Sequence, residues 1–472
     1  MDQQTNPGEL AGLLSGWTDG GHGTLPQRLA YGLRCAIGSG LIGDGTRLPP
    51  ERDLARALAV SRSTVTTALD LLRDEGLVES RQGSGTVVRG PGQKSVGNAR
   101  IAGTMGGTTG IDLALGTPPD PSHLPPISID IAELTCSRIG HGLVPLGLPV
   151  LRETLADRHT ALGLVTDPNE IHITAGAHQA IALTLSAVAG PGDPIAVEDP
   201  NYSGLFDILE GIGARPLVLE SDEDGVRPAS LDRALRAGAV AVYLQTGPQN
   251  PTGRVPSPER MQALAAIADK HRAFVIEDLT LADLTFGGRP RPEIAELCRR
   301  ATVVTTGSFS KVGWAGLRIG WLRAPAPIVE RTMHLKLARD LAASAPSQLM
   351  AAALVPSLDD LAAHRQETLR CLVDVALTHL RAELPSWEIE APRGGSLLWA
   401  RLPVTDSGPF VSLAARHGVH VAAGSAAFAG RGQSAHVRIC VDRPRPLLEA
   451  GLQRLVHAWS EIETPRARPI LT

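Results

Sequence analysis

Residues 91–110, PGQKSVGNARIAGTMGGTTG, carry six glycines and no sustained apolar periodicity. No single hydrophobic core can run through such a stretch, so it predicts a flexible linker with a reach on the order of 25 Å. A module over 1–90 then precedes the joint and a larger one over 111–472 follows it. The length of 472 residues agrees, because it exceeds what one core normally organises. With 43% hydrophobic and 20% charged residues, the chain has the balance of a water-soluble globular protein. It contains no apolar run of the roughly eighteen residues needed to span a membrane, and its start, MDQQTNPGEL, is polar and acidic, so a cytoplasmic protein is expected. Cys35, Cys136, Cys298, Cys371 and Cys440 lie far apart with no CxxC spacing. They read as reduced thiols, and neither a metal site nor a disulfide framework is expected.

The first module, with its core over 24–90, reads as helical. LPQRLAYGLRCAIGSG has helical apolar spacing and ends in glycine; LPPERDLARALAV then turns into SRSTVTTALDLLRDEG. In the last segment Val65, Ala68, Leu69 and Leu72 fall at i, i+3, i+4 and i+7, which makes one buried stripe, with Ser61 placed to cap the start. Arg62, Ser63, Thr66 and Thr67 are left on the outward face. LVESR and TVV flank QGSG, which predicts a β-hairpin with a glycine-rich tip.

Helix, helix, turn, helix and hairpin make the plan of a winged helix-turn-helix. The sequence from Leu48 to Val88 closely resembles the GntR family of transcription regulators. That resemblance implies contacts to double-stranded operator DNA from Arg52, Ser61, Arg62, Ser63 and Thr64, with Gln82 and Gly83 at the wing. Their chemistry suits the task, since arginines grip phosphate or fork onto guanine, hydroxyls bond phosphate, and glycine lets the backbone approach closely. Residues 24–90 hold nine arginines against seven acidic residues, a net charge of only about +2. Non-specific affinity should be modest, so specific contacts and dimerisation must supply the rest.

Beyond the joint, DPIAVEDP, AVAVYLQTG, AFVIEDLTLADL and TVVTTGSFSK supply apolar strands followed by loops or helices, the pattern of an α/β domain with a mainly parallel sheet. Ligands gather at the carboxyl ends of strands in such folds, and the polar clusters sit there. Asn250 follows one strand in GPQNPTG, Asp278 ends the next, and Lys311 follows the third in SFSK. Arg318 comes seven residues after Lys311, and Arg438 lies far downstream in HVRICV.

This ordered set resembles the fold-type I pyridoxal-phosphate aminotransferases over roughly residues 111–460, with a small C-terminal α+β domain expected at about 340–472. Joined to a GntR-type head, the whole chain resembles the MocR subfamily. The resemblance implies a Schiff base between Lys311 and pyridoxal 5'-phosphate, Asp278 on the ring nitrogen and Asn250 on the phenolic oxygen. Tyr202 would stack on the ring, and Arg438 would clamp a substrate α-carboxylate. The phosphate would rest on the glycine turn and helix start at Gly176, Ala177 and His178, completed by Ser308 and Arg318, where backbone amides and the helix dipole favour an anion.

Two tyrosines usual in that pattern are missing. Thr280 stands two residues after Asp278, and His141 and Gly142 stand near the place of the tyrosine that reaches a neighbouring subunit's phosphate. Of the three tyrosines in the chain, Tyr31 falls in the first module and Tyr243 reads as core, so neither is an obvious substitute. The expectation is a transcription regulator that carries pyridoxal phosphate and senses an amine, an amino acid or the cofactor itself, rather than a metabolic transaminase. The resemblance also implies a homodimer with head-to-tail exchange of domains. The competing expectation is a working aminotransferase with an appended DNA-binding module.

Overall fold

The computed structural model describes residues 7, 10, 14 and 17, then 24–38, 42, 46–74, 77–81, 85–88, 100–105, 110–129, 140–290, 292–430 and 432–463. They group into two compact units, Met1–Asn98 and Ala99–Thr472. Among the described residues no helix is long and apolar enough to cross a membrane.

The first unit contains helices α1 (Leu25–Gly38), α2 (Glu51–Ala57) and α3 (Arg62–Asp74), followed by an antiparallel hairpin of β1 (Val78–Arg81) and β2 (Gly85–Val88) with Val78 opposite Val88. The stripe Val65, Ala68, Leu69 and Leu72 is fully buried against Leu29, Leu33 and Leu54, as its spacing predicts. The Ser61 hydroxyl accepts from the Thr64 amide at 3.1 Å and so caps α3. Glu51 ties α2 to α3: it accepts from the Thr66 hydroxyl at 2.9 Å and lies 3.5 Å from the Arg62 guanidinium.

The second unit is built on a seven-stranded sheet of β4 (Ile171–Thr174), β5 (Pro194–Glu198), β6 (Arg215–Leu219), β7 (Ala241–Gln245), β8 (Phe274–Asp278), β9 (Thr302–Ser308) and β10 (Gly320–Arg323). Their order across the sheet is β4, β10, β9, β8, β7, β5, β6, and only β10 runs antiparallel to its neighbours. The near-continuous apolar runs in the sequence arise because these strands, the edge strand β6 excepted, are buried on both faces. In register, Asp278 lies opposite Gln245 on one side and Thr306 on the other, so the polar residues that end three strands stand level.

A smaller sheet orders β11 (Glu388–Ile389), β12 (Leu397–Arg401), β15 (His436–Cys440) and β14 (Ala422–Ala423), with β13 (Val419–His420) beside it pairing in parallel with β3 (Ile111–Asp112). Its core centres on Trp387, Phe410 and Trp459, whose rings meet edge to face at 5.3–5.5 Å.

Two boundaries differ from those expected. The small lobe is not a contiguous block from about 340. Residues from Ala343 to Leu369 pack in the large-lobe core, whereas Ile111 and Leu113, at the start of the unit, fill the core of the small one. The linker expected over 91–110 gives way at residues 100–105. Arg100–Thr104 forms a 3-10 turn whose first two amides, Arg100 and Ile101, donate to the Asp207 carboxylate at 2.7 and 2.9 Å. The Arg100 guanidinium donates to the carbonyls of Phe428 and Ala429 and lies over the Phe206 ring at 4.9 Å. One carboxylate and one arginine thus fold a strap out of a stretch whose glycine content predicts freedom. Asp207→Ala leaves two half-buried amides without their acceptor, an expected cost of about 1–3 kcal/mol. Hydrogen exchange at residues 100–105 should then accelerate, and unchanged protection would contradict this account of the strap.

Candidate functional site

The carboxyl ends of β7, β8 and β9, the start of helix α4 (Ala177–Val188) and strand β15 surround a cavity of about 390 Å³. At its floor the Asp278 carboxylate, 8% exposed, accepts from the Tyr243 hydroxyl at 2.5 Å and from the Thr280 amide at 2.9 Å. Burial, reinforced by the Asp278 charge, holds the Tyr243 phenol well above its ordinary range, so it keeps its proton and donates. Beside them the Thr280 hydroxyl is buried with no partner among the described residues. The Gln245 side chain accepts from the Asn250 amide at 3.0 Å and donates to the Asn201 side chain at 2.7 Å, which fixes the loop that presents Asn250.

One end of the cavity is shaped for an anion. Gly176 precedes α4 at φ +98°, a conformation that favours glycine, and a Cβ there would lie 3.4 Å from the Arg318 guanidinium. The first amides of α4 have no intrahelical acceptor. Arg318 donates to the Ala175 carbonyl at 2.6 Å. Ser308 donates to the Ser310 hydroxyl at 2.9 Å and accepts from the Ser310 amide at 3.1 Å. The Tyr202 hydroxyl lies 3.2 Å from His178 Nδ1 with the two rings edge to face, so the His178 side chain has a neighbour that the sequence did not suggest.

At the other end stand two cations. Lys311 Nζ donates to the Gly116 carbonyl at 2.6 Å; burial and then the nearby Arg438 charge lower its pKa to about 8. Arg438, on β15, is 7% exposed and donates to Asn250 Oδ1 at 3.3 Å and to the Ala114 carbonyl at 2.8 Å, while its Nε is buried with no partner among the described residues. Burial lowers the pKa of this guanidinium too. Among the described residues no carboxylate comes within ion-pair distance of Lys311, Arg318 or Arg438. Arg443 holds the segment they touch, donating to the carbonyls of Asp112, Leu115 and Thr117 at 2.6, 2.8 and 3.0 Å.

The structure brings all ten residues expected at a cofactor and substrate site to this one cavity. Sequence reasoning missed Tyr243, which it took for core, and the carbonyls of Ala114 and Gly116. The only available signal for the latter was the GTPP that ends the apolar IDLAL. His141, near the place of a missing tyrosine, is exposed and accepts from the Leu143 amide at 3.1 Å, and it does not line the cavity. In the first unit Arg52, Ser61, Arg62 and Ser63 are exposed and Thr64 is half-buried. The Ser61 hydroxyl is shared between the helix cap and the hydroxyls of Ser63 and Thr64, at 2.8 and 2.7 Å. Gln82 and Gly83 lie outside the described residues.

Known proteins carry both parts. Residues 108–455 match the family described as aminotransferase class I and II, and residues 25–88 match bacterial regulatory proteins of the gntR family. An uncharacterized HTH-type transcriptional regulator of Escherichia coli, YdcR, is 31% identical over 432 residues, covering 84% of this chain and 91% of its own. The HTH-type pyridoxine biosynthesis transcriptional regulator PdxR of Corynebacterium glutamicum is 29% identical over 316 residues, 64% of this chain and 67% of its own. Among solved structures, LysN, the α-aminoadipate aminotransferase of Thermus thermophilus, superposes with a TM-score of 0.71 at 24% identity over 78% of this chain and 97% of that one, a likeness of fold. A gntR-type head on an aminotransferase class I and II domain defines a class of helix-turn-helix regulators that use pyridoxal phosphate. This chain belongs to it, as a regulator of the MocR type.

Amines attack aldehydes only in their neutral form. With its pKa lowered to about 8 from the ordinary 10.5, Lys311 is half neutral near pH 8. The rate at which the apoprotein captures pyridoxal phosphate, followed by absorbance, should rise with pH and reach half its maximum near pH 8. A midpoint above pH 10 would show an unperturbed lysine.

Proposed function

We propose that this cytoplasmic, DNA-binding regulator senses an α-amino acid at its pyridoxal-phosphate site. The observation that carries the proposal is Arg438. A buried guanidinium with an orphaned Nε and only neutral acceptors leaves its charge uncompensated, and a carboxylate accepted in two-pronged fashion supplies what it lacks. It stands in the same cavity as the amine of Lys311, so a ligand with carboxylate and amine on one carbon meets both.

The remaining residues fit the cofactor. When bound, pyridoxal phosphate supplies an aldehyde and an electron-withdrawing ring. Lys311 would be the amine that holds the aldehyde, at the point where a ligand's amino group would compete with it. Asp278, oriented by the Tyr243 hydroxyl, would accept from a protonated ring nitrogen. Asn250 would donate to the phenolic oxygen, and Tyr202 would cover the ring. The amides at Gly176, Ala177 and His178, with Ser308 and Arg318, hold the phosphate against the α4 dipole.

In the first unit α3 is the element presented to the major groove, with Arg62, Ser63 and Thr64 at its amino end and Arg52 on α2 nearby in sequence. A homodimer with head-to-tail exchange of domains matches the two-part organisation. Exchange of the amine at Lys311 alters operator affinity only in so far as the ligand binds the DNA-competent and DNA-incompetent states unequally. The name of the PdxR relative supports a link between such regulators and the cofactor's own metabolism.

Two variants test these assignments separately. Lys311→Ala should abolish the borohydride-reducible adduct with pyridoxal phosphate while the protein remains folded; an adduct that survives would reject Lys311 as the anchor. Arg62→Ala should weaken operator binding by about 1–3 kcal/mol if the side chain makes a two-pronged base contact. Its salt bridge to Glu51 is long and the side chain is 72% exposed, so little stability is at stake. Unchanged operator affinity would remove Arg62 from the interface.

A further inference from the structure

The charges of the cavity can be assigned one by one, and the remainder identifies the ligand more closely. Four charged side chains line it: Asp278, Lys311, Arg318 and Arg438. Under the function proposed above, the ring nitrogen, the phosphate and an α-carboxylate engage Asp278, Arg318 and Arg438, and Lys311 stands at the ligand's α-amino group rather than at the end of its side chain. Among the described residues no charged group is left to meet the end of a ligand's side chain.

Apart from the uncharged hydroxyls of Thr104, Thr117, Ser310 and Ser396, most of what remains is apolar. Ile101 and Met105 of the strap, Leu115, Leu281, Ala315 and Leu397 line the same cavity. Leu397 closes against Gly116, where a Cβ would meet its side chain at 3.0 Å, and Gly116 accepts from Lys311 Nζ, so this apolar wall begins where the amine stands. Met105 is 57% exposed, a large apolar side chain left for a ligand to cover. Thr280 places a small residue where a larger one would fill space, and its buried hydroxyl offers one weak polar contact and no charge.

We infer that the ligand is an α-amino acid with an apolar, aliphatic or thioether side chain, seated between Leu397 and Leu281 and covered by Ile101 and Met105. This rests on the proposed amino-acid site and narrows it to a chemical class. A second carboxylate or ammonium would enter the apolar part of the cavity without a partner, which costs more than the added contacts return. The strap is also the first described segment of the large unit.

The test is a titration of the full-length protein loaded with pyridoxal phosphate, comparing L-leucine and L-methionine with L-glutamate and L-lysine. Binding is read from the cofactor absorption band and, independently, from the shift in thermal unfolding. Leucine and methionine are expected to bind at least about tenfold more tightly than glutamate or lysine. Ile101→Asp is expected to reduce leucine affinity by about tenfold and to narrow its margin over lysine. Equal or tighter binding of glutamate or lysine to the wild-type protein, with the cofactor adduct on Lys311 intact, would overturn the apolar assignment alone. Absence of that adduct would overturn the cofactor site and this inference together. The wild-type comparison decides the question even if Ile101→Asp does not fold.

Discussion

A carboxylate at the centre of a protein must be given donors or be neutralised, and Asp278 is where this chain meets that requirement. It ends the middle strand of a seven-stranded sheet, almost wholly out of water, with a tyrosine hydroxyl and a backbone amide already pointed at it. Both donors are neutral, so a cation brought to the cavity floor would find an acceptor there. The surroundings follow from that need: Tyr243 one strand away fixes the carboxylate's orientation, and Gln245 beside it fixes the loop bearing Asn250. In the role proposed for Asp278, the cofactor would complete an electrostatic arrangement that the sheet leaves unfinished.

The same logic of incomplete pairing marks the other wall. Lys311 and Arg438 raise each other's cost of being charged, and each is satisfied for now by backbone carbonyls of residues 114 and 116. Carbonyl oxygens are adequate acceptors and poor counter-ions. An anion that binds Arg438 therefore does more than fill space, because it relieves a repulsion that otherwise weakens the ammonium form of its neighbour.

Much of this was legible in the sequence because it depends on residue type and order. The stripe in α3, the strand-end positions of Asp278 and Lys311, and the helix start after Gly176 follow from periodicity and from where loops fall in an α/β fold. What was hidden depends on partners distant in the chain. Nothing local shows that Tyr243 points at Asp278, because alternation along a strand gives a face and not a contact. Backbone acceptors such as Ala114 and Gly116 have no side-chain signature at all. The strap at 100–105 was concealed by composition: six glycines argue for freedom, and the decisive carboxylate, Asp207, is 107 residues away from Arg100. The small lobe's boundary failed for a related reason, since the strand that completes it comes from the beginning of the unit.

Arg443 joins the two ends of the large unit, donating to Asp112, Leu115 and Thr117 across as many as 331 residues, and Arg438 reaches Ala114 across 324. During synthesis, the head that reads DNA leaves the ribosome before the large unit, and among the described residues its core uses nothing beyond residue 88. The wall of the sensing cavity cannot close until strand β15 has emerged, long after the head. Each new molecule thus passes through an interval in which the DNA-binding part is complete and its control is not. A truncated message would yield a head that is beyond the reach of the ligand.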